Sequence, residues 1–412
     1  MADQFDCVVV GAGPGGCAAG TIVAESGHST LIVEREKVPR FHVGESLMPE
    51  TYWTLERLGV LGKMKEIGFV PKSGVQFVTH SGKESQPFFF REHDDRESST
   101  TWHVERARFD QMLFDNAAAK GADCRDETRV LSIEFRDQGP HRLQLRKRDG
   151  SEYCVETKVL VDGSGQSAMV ASRLGLQEFN RRLRKASIWT YYQGAARAEH
   201  SSENTTVILL TNDKKAWFWY IPLADDVVSV GVVGDNDHIL KGRGTPEETF
   251  QEELLKCEAV AKRVQHGEQT GPFHVAKEFS YWSHQHAGDG WVLVGDAFGF
   301  IDPVYSSGVY LALKSGELAA DAIVDGFGKN DLSAKQLGGW AEDFKKGTQW
   351  IRKLVHAFYT EEFSFGQFMK THPEHQGNLT DLLIGRVWHE DVGKIFEDMD
   401  PIMAGSRDAA QS

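Results

Sequence analysis

The chain is short of cysteine. It has five in 412 residues, at positions 7, 17, 124, 154 and 257, and none forms a Cys-x-x-Cys pair. An odd, scattered set offers no disulfide framework and reads as reduced thiols in a cytoplasmic protein. Positive charge is also short: 46 Lys and Arg face 60 Asp and Glu, for a net charge of -14. Phosphate backbones are bound by clustered cations, so nucleic acid is excluded as a partner. No apolar run approaches the ~18 residues of a spanning helix, so no membrane is expected. The opening "MADQFDCVVV" lacks a basic leader and goes straight into a strand. Internal repeats and low-complexity segments are absent, and no metal site is expected.

What is present is a large soluble core. Hydrophobic residues make up 40% and charged residues 26%, as in a globular enzyme. "FDCVVVGAGPGGCAAGTIVAESGHSTLIVERE" reads as strand, tight turn, helix and strand. The apolar run Cys7 to Val10 suits a parallel strand buried on both faces. Helix is expected over 50 to 70, over "ERARFDQMLFDNAAAKGA" up to Gly121, and near 245 to 266. Strands are expected over 72 to 92, 100 to 105 and 128 to 165, with a hairpin at "KRDGS". Residues 187 to 235 alternate like an antiparallel sheet, and "GWVLVGDAFGF" returns to the buried parallel pattern.

The expected fold is therefore α/β. A Rossmann-like dinucleotide-binding domain over 1–330 is interleaved with an antiparallel layer at about 70–105 and 185–280. A helical segment over 331–412 follows.

Gly11, Gly13 and Gly16 form Gly-x-Gly-x-x-Gly between a strand and a helix. The first glycine makes the turn, the second admits a pyrophosphate, and the third lets the helix pack closely. Glu34 ends the second strand, where an acid binds a ribose hydroxyl. "LVGDAFGFIDP" reads as a strand that delivers Asp296 to the mouth of a helix, and it resembles the second FAD fingerprint of the flavoprotein monooxygenase superfamily. "VLVDGSG", with Asp162, and "VERARFDQML", with Arg106, resemble that superfamily's other flavin motifs. There is no second complete glycine fingerprint for a nicotinamide cofactor. FAD is the expected cofactor, and its reduced form is expected from a separate flavin reductase.

"WFWYIP" matches Trp-x-Trp-x-Ile-Pro at Trp217, Trp219, Ile221 and Pro222, the marker of flavin-dependent halogenases. Three more stretches resemble that family: "HVGESLMP" with Glu45 and Ser46 on the flavin side, "GFVPKSGVQF" with Lys72, and "DPVYSSGVYLAL" with Ser307 and Gly308. The resemblance runs from residue 5 to about 325. Period-two alternation places Trp217, Trp219 and Ile221 on one strand face, and Phe218 and Tyr220 on the other. Alone, such a strand reads as core. Beside a flavin, it reads as a wall that keeps organic substrate from the oxidant.

The resemblance implies that halide binds at Ser307 and Gly308, at a helix start. It implies that Lys72 guides hypohalous acid to an electron-rich aromatic ring. Alone, Lys72 reads as a surface lysine and "YSSG" as a serine N-cap. Tryptophan-type members carry a glutamate where this chain has Tyr305, which favours the phenol or pyrrole branch. "NRRLRKAS", with Arg181, Arg182, Arg184 and Lys185, reads as a solvated turn or as a dock for an acidic acyl carrier protein. The competing functions are an aromatic hydroxylase, which would consume NADPH and ignore halide, and a flavin-dependent prenyl-chain reductase. A non-enzymatic flavin-binding protein would show no turnover.

Overall fold

Two eight-stranded sheets, a two-stranded ribbon and a helical C-terminal segment make up the computed structural model. It describes residues 2–137, 139–197, 204–360 and 363–409. In the first sheet Trp291–Leu293, Glu152–Asp162, Asp3–Val10, Thr30–Val33 and Asp123–Arg125 lie side by side and parallel. The central strands carry Cys7, Val8 and Val9, and Val159, Leu160 and Val161, all with no exposed surface. Parallel strands covered on both faces read as continuous apolar runs, and these do. The hairpin of His141–Lys147 and Glu152–Asp162 forms at Lys147–Ser151 as the "KRDGS" pattern requires.

The second sheet runs Gly299–Phe300, Glu268–Ser283, Gln177–Gln193, Val227–Asp235, Ala216–Pro222, Thr205–Leu210, Gly74–Val78 and Phe88–Phe89. Its pairings are antiparallel except that between Thr205–Leu210 and Gly74–Val78. From Ala334 onward the described chain is helical and packs on both sheets: Gly338 lies against Ala287, and Tyr359 against Trp217. Among the described residues no helix is long and apolar enough to cross a membrane.

Local expectations needed correction in five places. The helix expected over 50 to 70 is two, Thr51–Arg57 and Leu61–Ile67, parted at Gly59 (φ 71°). Within 72 to 92, Phe90–His93 is helical. The helix near 245 to 266 is split at Cys257 into Pro246–Leu254 and Glu258–Val264. "NRRLRK" belongs to the long strand Gln177–Gln193, not a turn: Asn180, Arg181, Arg182 and Arg184 are exposed on it, while Lys185 is buried and pairs with Asp235 at 2.8 Å. Its charges hide a strand whose partner, Glu268–Ser283, carries no clear alternation either. Finally, Asp296 sits in a short 3-10 turn, Gly295–Ala297, and the following long helix starts only at Ser307.

The helices Pro14–Glu25 and Ser307–Lys329 meet over glycine. A Cβ at Gly316 would lie 2.3 Å from the Gly15 carbonyl oxygen. Alanine in a helix normally gains about 1 kcal/mol over glycine. Here the obstacle is backbone, which cannot swing aside, so overpacking wins. Gly316→Ala should lose about 1–3 kcal/mol, read as a lower urea midpoint with an unchanged slope.

Candidate active site

The glycine turn opens onto a cavity of about 590 Å³ that lies between the two sheets. Gly11 (φ 99°) passes so close to the turn after Glu152–Asp162 that a Cβ would be 2.3 Å from the Gly163 carbonyl oxygen. Gly16 is tighter still, 2.0 Å from the Gly11 oxygen. Gly13 is different: a Cβ there would meet only Arg40 Nη2, at 3.8 Å, so its face is open to the cavity. Glycine here leaves room for a ligand against backbone, beside the start of a twelve-residue helix whose first N–H groups have no intrahelical partner. These residues fit the pyrophosphate of a dinucleotide.

Glu34 marks one end of the cavity. Its carboxylate accepts from the Ala12 and Glu36 amides and pairs with Arg40 at 3.1 Å. Arg40 also reaches Asp110 at 2.7 Å. Arg106 lines the wall, but all three of its nitrogens are engaged: Nε and Nη2 by Asp110, Nη1 by the Val43 carbonyl at 2.6 Å. Burial opposes ionisation of Asp110, yet Arg106 and Arg40 outweigh it and hold the carboxyl below its ordinary range. The Arg106 charge is thus largely neutralised before any ligand arrives. Asp162, expected among the cofactor contacts, is not on the cavity wall. Its oxygens take the Ser164 and Val170 amides, at 3.0 and 2.7 Å, so it shapes the 163–169 loop that lines the cavity. Asp296 does line the wall, and burial pushes its carboxyl up to about 6.

The other end is aromatic. Every residue of Ala216–Pro222 is buried. Trp217, Trp219 and Ile221 line the cavity, while Phe218 and Tyr220 belong to the core behind the sheet. Pro222 falls with the hidden face and is not on the wall. The indole of Trp219 lies flat over Gly231, where a Cβ would be 2.2 Å from the ring. Its Nε1 donates to Ser229 at 3.1 Å, and Trp217 Nε1 donates to Tyr359 at 3.0 Å. Two tryptophans on one strand are thereby fixed at both ring and N–H.

Beside this wall lies the loop 42–46. The Glu45 side chain is buried and accepts from the Tyr191 hydroxyl at 2.8 Å. Burial raises it to about 7. The Ser46 hydroxyl is 2.9 Å from that of Thr206, which is 2.7 Å from His103 Nε2. Thr206 and Tyr191 carried no motif, and only the alternation of their strands marked them as inward-facing; His103 carried none either.

Helix Ser307–Lys329 starts at the cavity. Its N-cap Ser306 has φ 59°, and no side chain caps the first turn. The serine cap expected from the sequence is therefore not formed, because the left-handed backbone turns the hydroxyl away from the first amides. Ser306 and Gly308 line the wall, whereas Ser307 is buried beneath it. A Cβ on Gly308 would touch nothing within 4 Å. An uncapped start on a helix of 23 residues leaves N–H groups and a positive dipole end for an anion. Tyr305 is buried, with its hydroxyl on the Leu354 carbonyl.

Lys72 stands behind the wall. It is 5% exposed, donates to the Leu47 carbonyl at 2.9 Å and lies 5.4 Å from the Phe90 ring centre. Leu47 follows the wall residue Ser46, so the ammonium is one backbone layer from the cavity.

Comparisons with known proteins show the family. The family model described as tryptophan halogenase matches residues 6–94 and 83–377. A 1H-pyrrole-2-carbonyl-[peptidyl-carrier protein] chlorinase of Pseudomonas fluorescens is 29% identical, across 98% of this chain and 94% of its own. The corresponding brominase of Pseudoalteromonas luteoviolacea is 31% identical, across 93% of this chain and 92% of its own. A solved flavin-dependent brominase superposes with a TM-score of 0.85 at 28% identity, covering 97% of this chain and 98% of its own.

Burial alone lowers the Lys72 ammonium to about 7, with no acid to offset it. In an unfolded chain a lysine titrates near ~10.4. Between these values the unfolded state holds the extra proton, so stability falls as pH drops from about 10.4 to about 7. Lys72→Met removes that penalty. The variant should be more stable than the parent at pH 7, by a few kcal/mol, and the advantage should vanish towards pH 10. Urea melts at pH 7 and 9.5 check the sign.

Proposed function

The chain belongs to the tryptophan halogenase family and is an FAD-dependent halogenating oxidoreductase, and on that premise we propose that its substrate is a pyrrole tethered to an acidic carrier protein. Support comes first from the basic strand. Arg181, Arg182 and Arg184 are exposed on Gln177–Gln193, and half-exposed Phe179 stands beside them on Tyr281. That strand pairs with Glu268–Ser283, which pairs with Gly299–Phe300 on the cavity wall. Cations around an apolar tip suit an acidic protein partner and set its approach. Two of the relatives that this chain matches nearly end to end are named for pyrrolyl carrier substrates.

Bound and reduced FAD would activate dioxygen so that halide is oxidised to hypohalous acid. The residues present divide the remaining work. Gly13 and the start of Pro14–Glu25 hold the pyrophosphate, and Glu34 with Arg40 holds the ribose end. Halide sits at the uncapped helix start by Ser307 and Gly308. Trp217 and Trp219 fill the path by which a ring could reach the oxidant, so direct hydroxylation is suppressed. Lys72, close to half neutral at pH 7, hydrogen-bonds the hypohalous acid or takes its halogen on nitrogen. It then presents that halogen to one ring carbon. Tyr305 supplies no carboxylate base, and a pyrrole needs none as strong, because its nitrogen feeds electrons into the ring. With one dinucleotide fingerprint in the chain, reduced flavin comes from a separate reductase.

Lys72→Ala should lower product formation about a hundredfold or more while flavin binds and is still reoxidised in air. Mass spectrometry of product and absorbance of flavin separate the two steps. Retained halogenation would remove the lysine from the mechanism.

Reversing Arg181, Arg182 and Arg184 to glutamate should raise KM for carrier-bound pyrrole about tenfold or more, with a weaker effect at high salt. Flavin reoxidation should not change. Equal rates on free pyrrole-2-carboxylate and its carrier thioester would refute the tethered substrate.

A further inference from the structure

Arg352 is a cation without a partner. It lies on Ala341–Phe358, a helix that packs on the core through Phe344, Ile351 and Leu354. Its guanidinium stacks on the Trp282 indole, 4.2 Å from the ring centre. Among the described residues no carboxylate or carbonyl takes any of its N–H groups. Glu178, opposite Trp282 across the strands, turns to His284 instead, at 3.8 Å. Arg40, Arg106 and Arg386 are, by contrast, each bound by acids. The stack fixes the plane of the Arg352 guanidinium and leaves the donors along its edge unused. The side chain keeps an exposed face, while the protein around the charge lowers it to about 10, with no acid to offset that cost.

The place of this cation matters. Trp282 stands on the middle of three strands. Its strand pairs on one side with Gln177–Gln193, which carries Arg181, Arg182 and Arg184, and on the other with Gly299–Phe300. The indole is seated over Gly299, where a Cβ would be 2.4 Å from the ring, and packs on Phe298 at 4.3 Å. From Arg352 the helix leads inward. Tyr359 is two turns further on, on the same face and about 10 Å along the axis. Its hydroxyl takes the N–H of Trp217 at 3.0 Å. One helix face therefore has a free guanidinium at its outer end and the aromatic wall at its inner end. Gln349, a turn before Arg352 on that face, is exposed and adds an amide donor.

A carrier protein holds its acyl group as a thioester at the end of a phosphopantetheine arm. A tethered substrate therefore brings one phosphate with it, at the base of the arm. A planar guanidinium matches two phosphate oxygens at once, which an ammonium cannot do. We infer that Arg352 binds the phosphate of this arm, and that the helix face from Arg352 to Tyr359 carries the arm to the aromatic wall. The strand arginines meet the acids of the carrier, and Arg352 meets the arm. The inference rests on the tethered-substrate reading above and adds to it a separate site for the arm.

Two small thioesters test the arm without the carrier: pyrrole-2-carbonyl-phosphopantetheine and pyrrole-2-carbonyl-pantetheine, which differ only by the phosphate. With the FAD-loaded enzyme and a flavin reductase, KM should be about tenfold lower for the phosphorylated one, as expected of hydrogen bonds between charged groups. Arg352→Met keeps a side chain on Trp282, removes the donors and should erase that difference. Arg352→Lys, a cation without the fork, should recover only part of it. Equal KM values in the parent enzyme, or the full difference kept in Arg352→Met, would overturn the inference and leave a tethered substrate standing. So would a rise of both KM values by one factor in Arg352→Met, which marks the arginine as structural. Halogenation of free pyrrole-2-carboxylate with neither thioester accepted would remove the tethered substrate, and this inference with it.

Discussion

Backbone against backbone is the contact on which the site depends. Gly11 meets Gly163, Gly16 meets Gly11, Gly15 meets Ala312, and Gly316 meets Gly15, each closer than any Cβ allows. These four approaches tie three segments distant in sequence into one floor. The helix Pro14–Glu25 is drawn onto the sheet and onto helix Ser307–Lys329 at once. Both helix starts then open on the same cavity, with Gly13 and Gly308 on its wall. Larger side chains would separate the layers, and the two anion-binding ends would no longer face one space.

The aromatic wall answers to a second steric rule. An indole can lie flat on a sheet only where the neighbouring strand has no side chain. Gly231 supplies that gap for Trp219, and Ser229, two residues earlier on the same face, takes its N–H. Trp217 finds its partner in Tyr359, from the C-terminal helices, and that hydroxyl in turn reaches Asp302 at 3.3 Å. The helical segment thus completes the wall. It could not be recognised as part of the site from sequence, since its aromatics are spaced as ordinary helix-packing residues.

What was legible in the sequence had a short period or a steric signature. The glycine turn, the buried parallel strands and the alternation of "WFWYIP" each follow from local geometry, and each is found. The α/β fold followed from their order. Long-range pairings left no such mark. Nothing near Asp162 announces that two backbone amides would occupy both its oxygens. Nothing near Arg106 announces Asp110 as its neutralising partner except the i,i+4 spacing, which was there to be read. The strand Gln177–Gln193 was obscured because one end is built for solvent and the other for the core. Thr206 and His103 sit on separate strands, and only the fold makes them neighbours.

Burial moves the acids of the cavity, and the lysine behind its wall, towards their neutral forms. Glu45 is raised to about 7, and Asp296 and Asp302 to about 6, in each case first by burial. Lys72 is lowered to about 7 by the same cause. Arg106, the wall's strongest cation, is already bound to Asp110. A low-dielectric cavity with fixed full charges would repel one of its ligands or trap it, since unit charges 4 Å apart interact by about 4 kcal/mol even at moderate screening. Groups poised to change protonation avoid both outcomes. When an anion enters at the helix start, the nearby acids gain protons more easily and the lysine keeps its own. The anion is balanced by small shifts in protonation, while the helix dipole, which does not titrate, fixes where it sits.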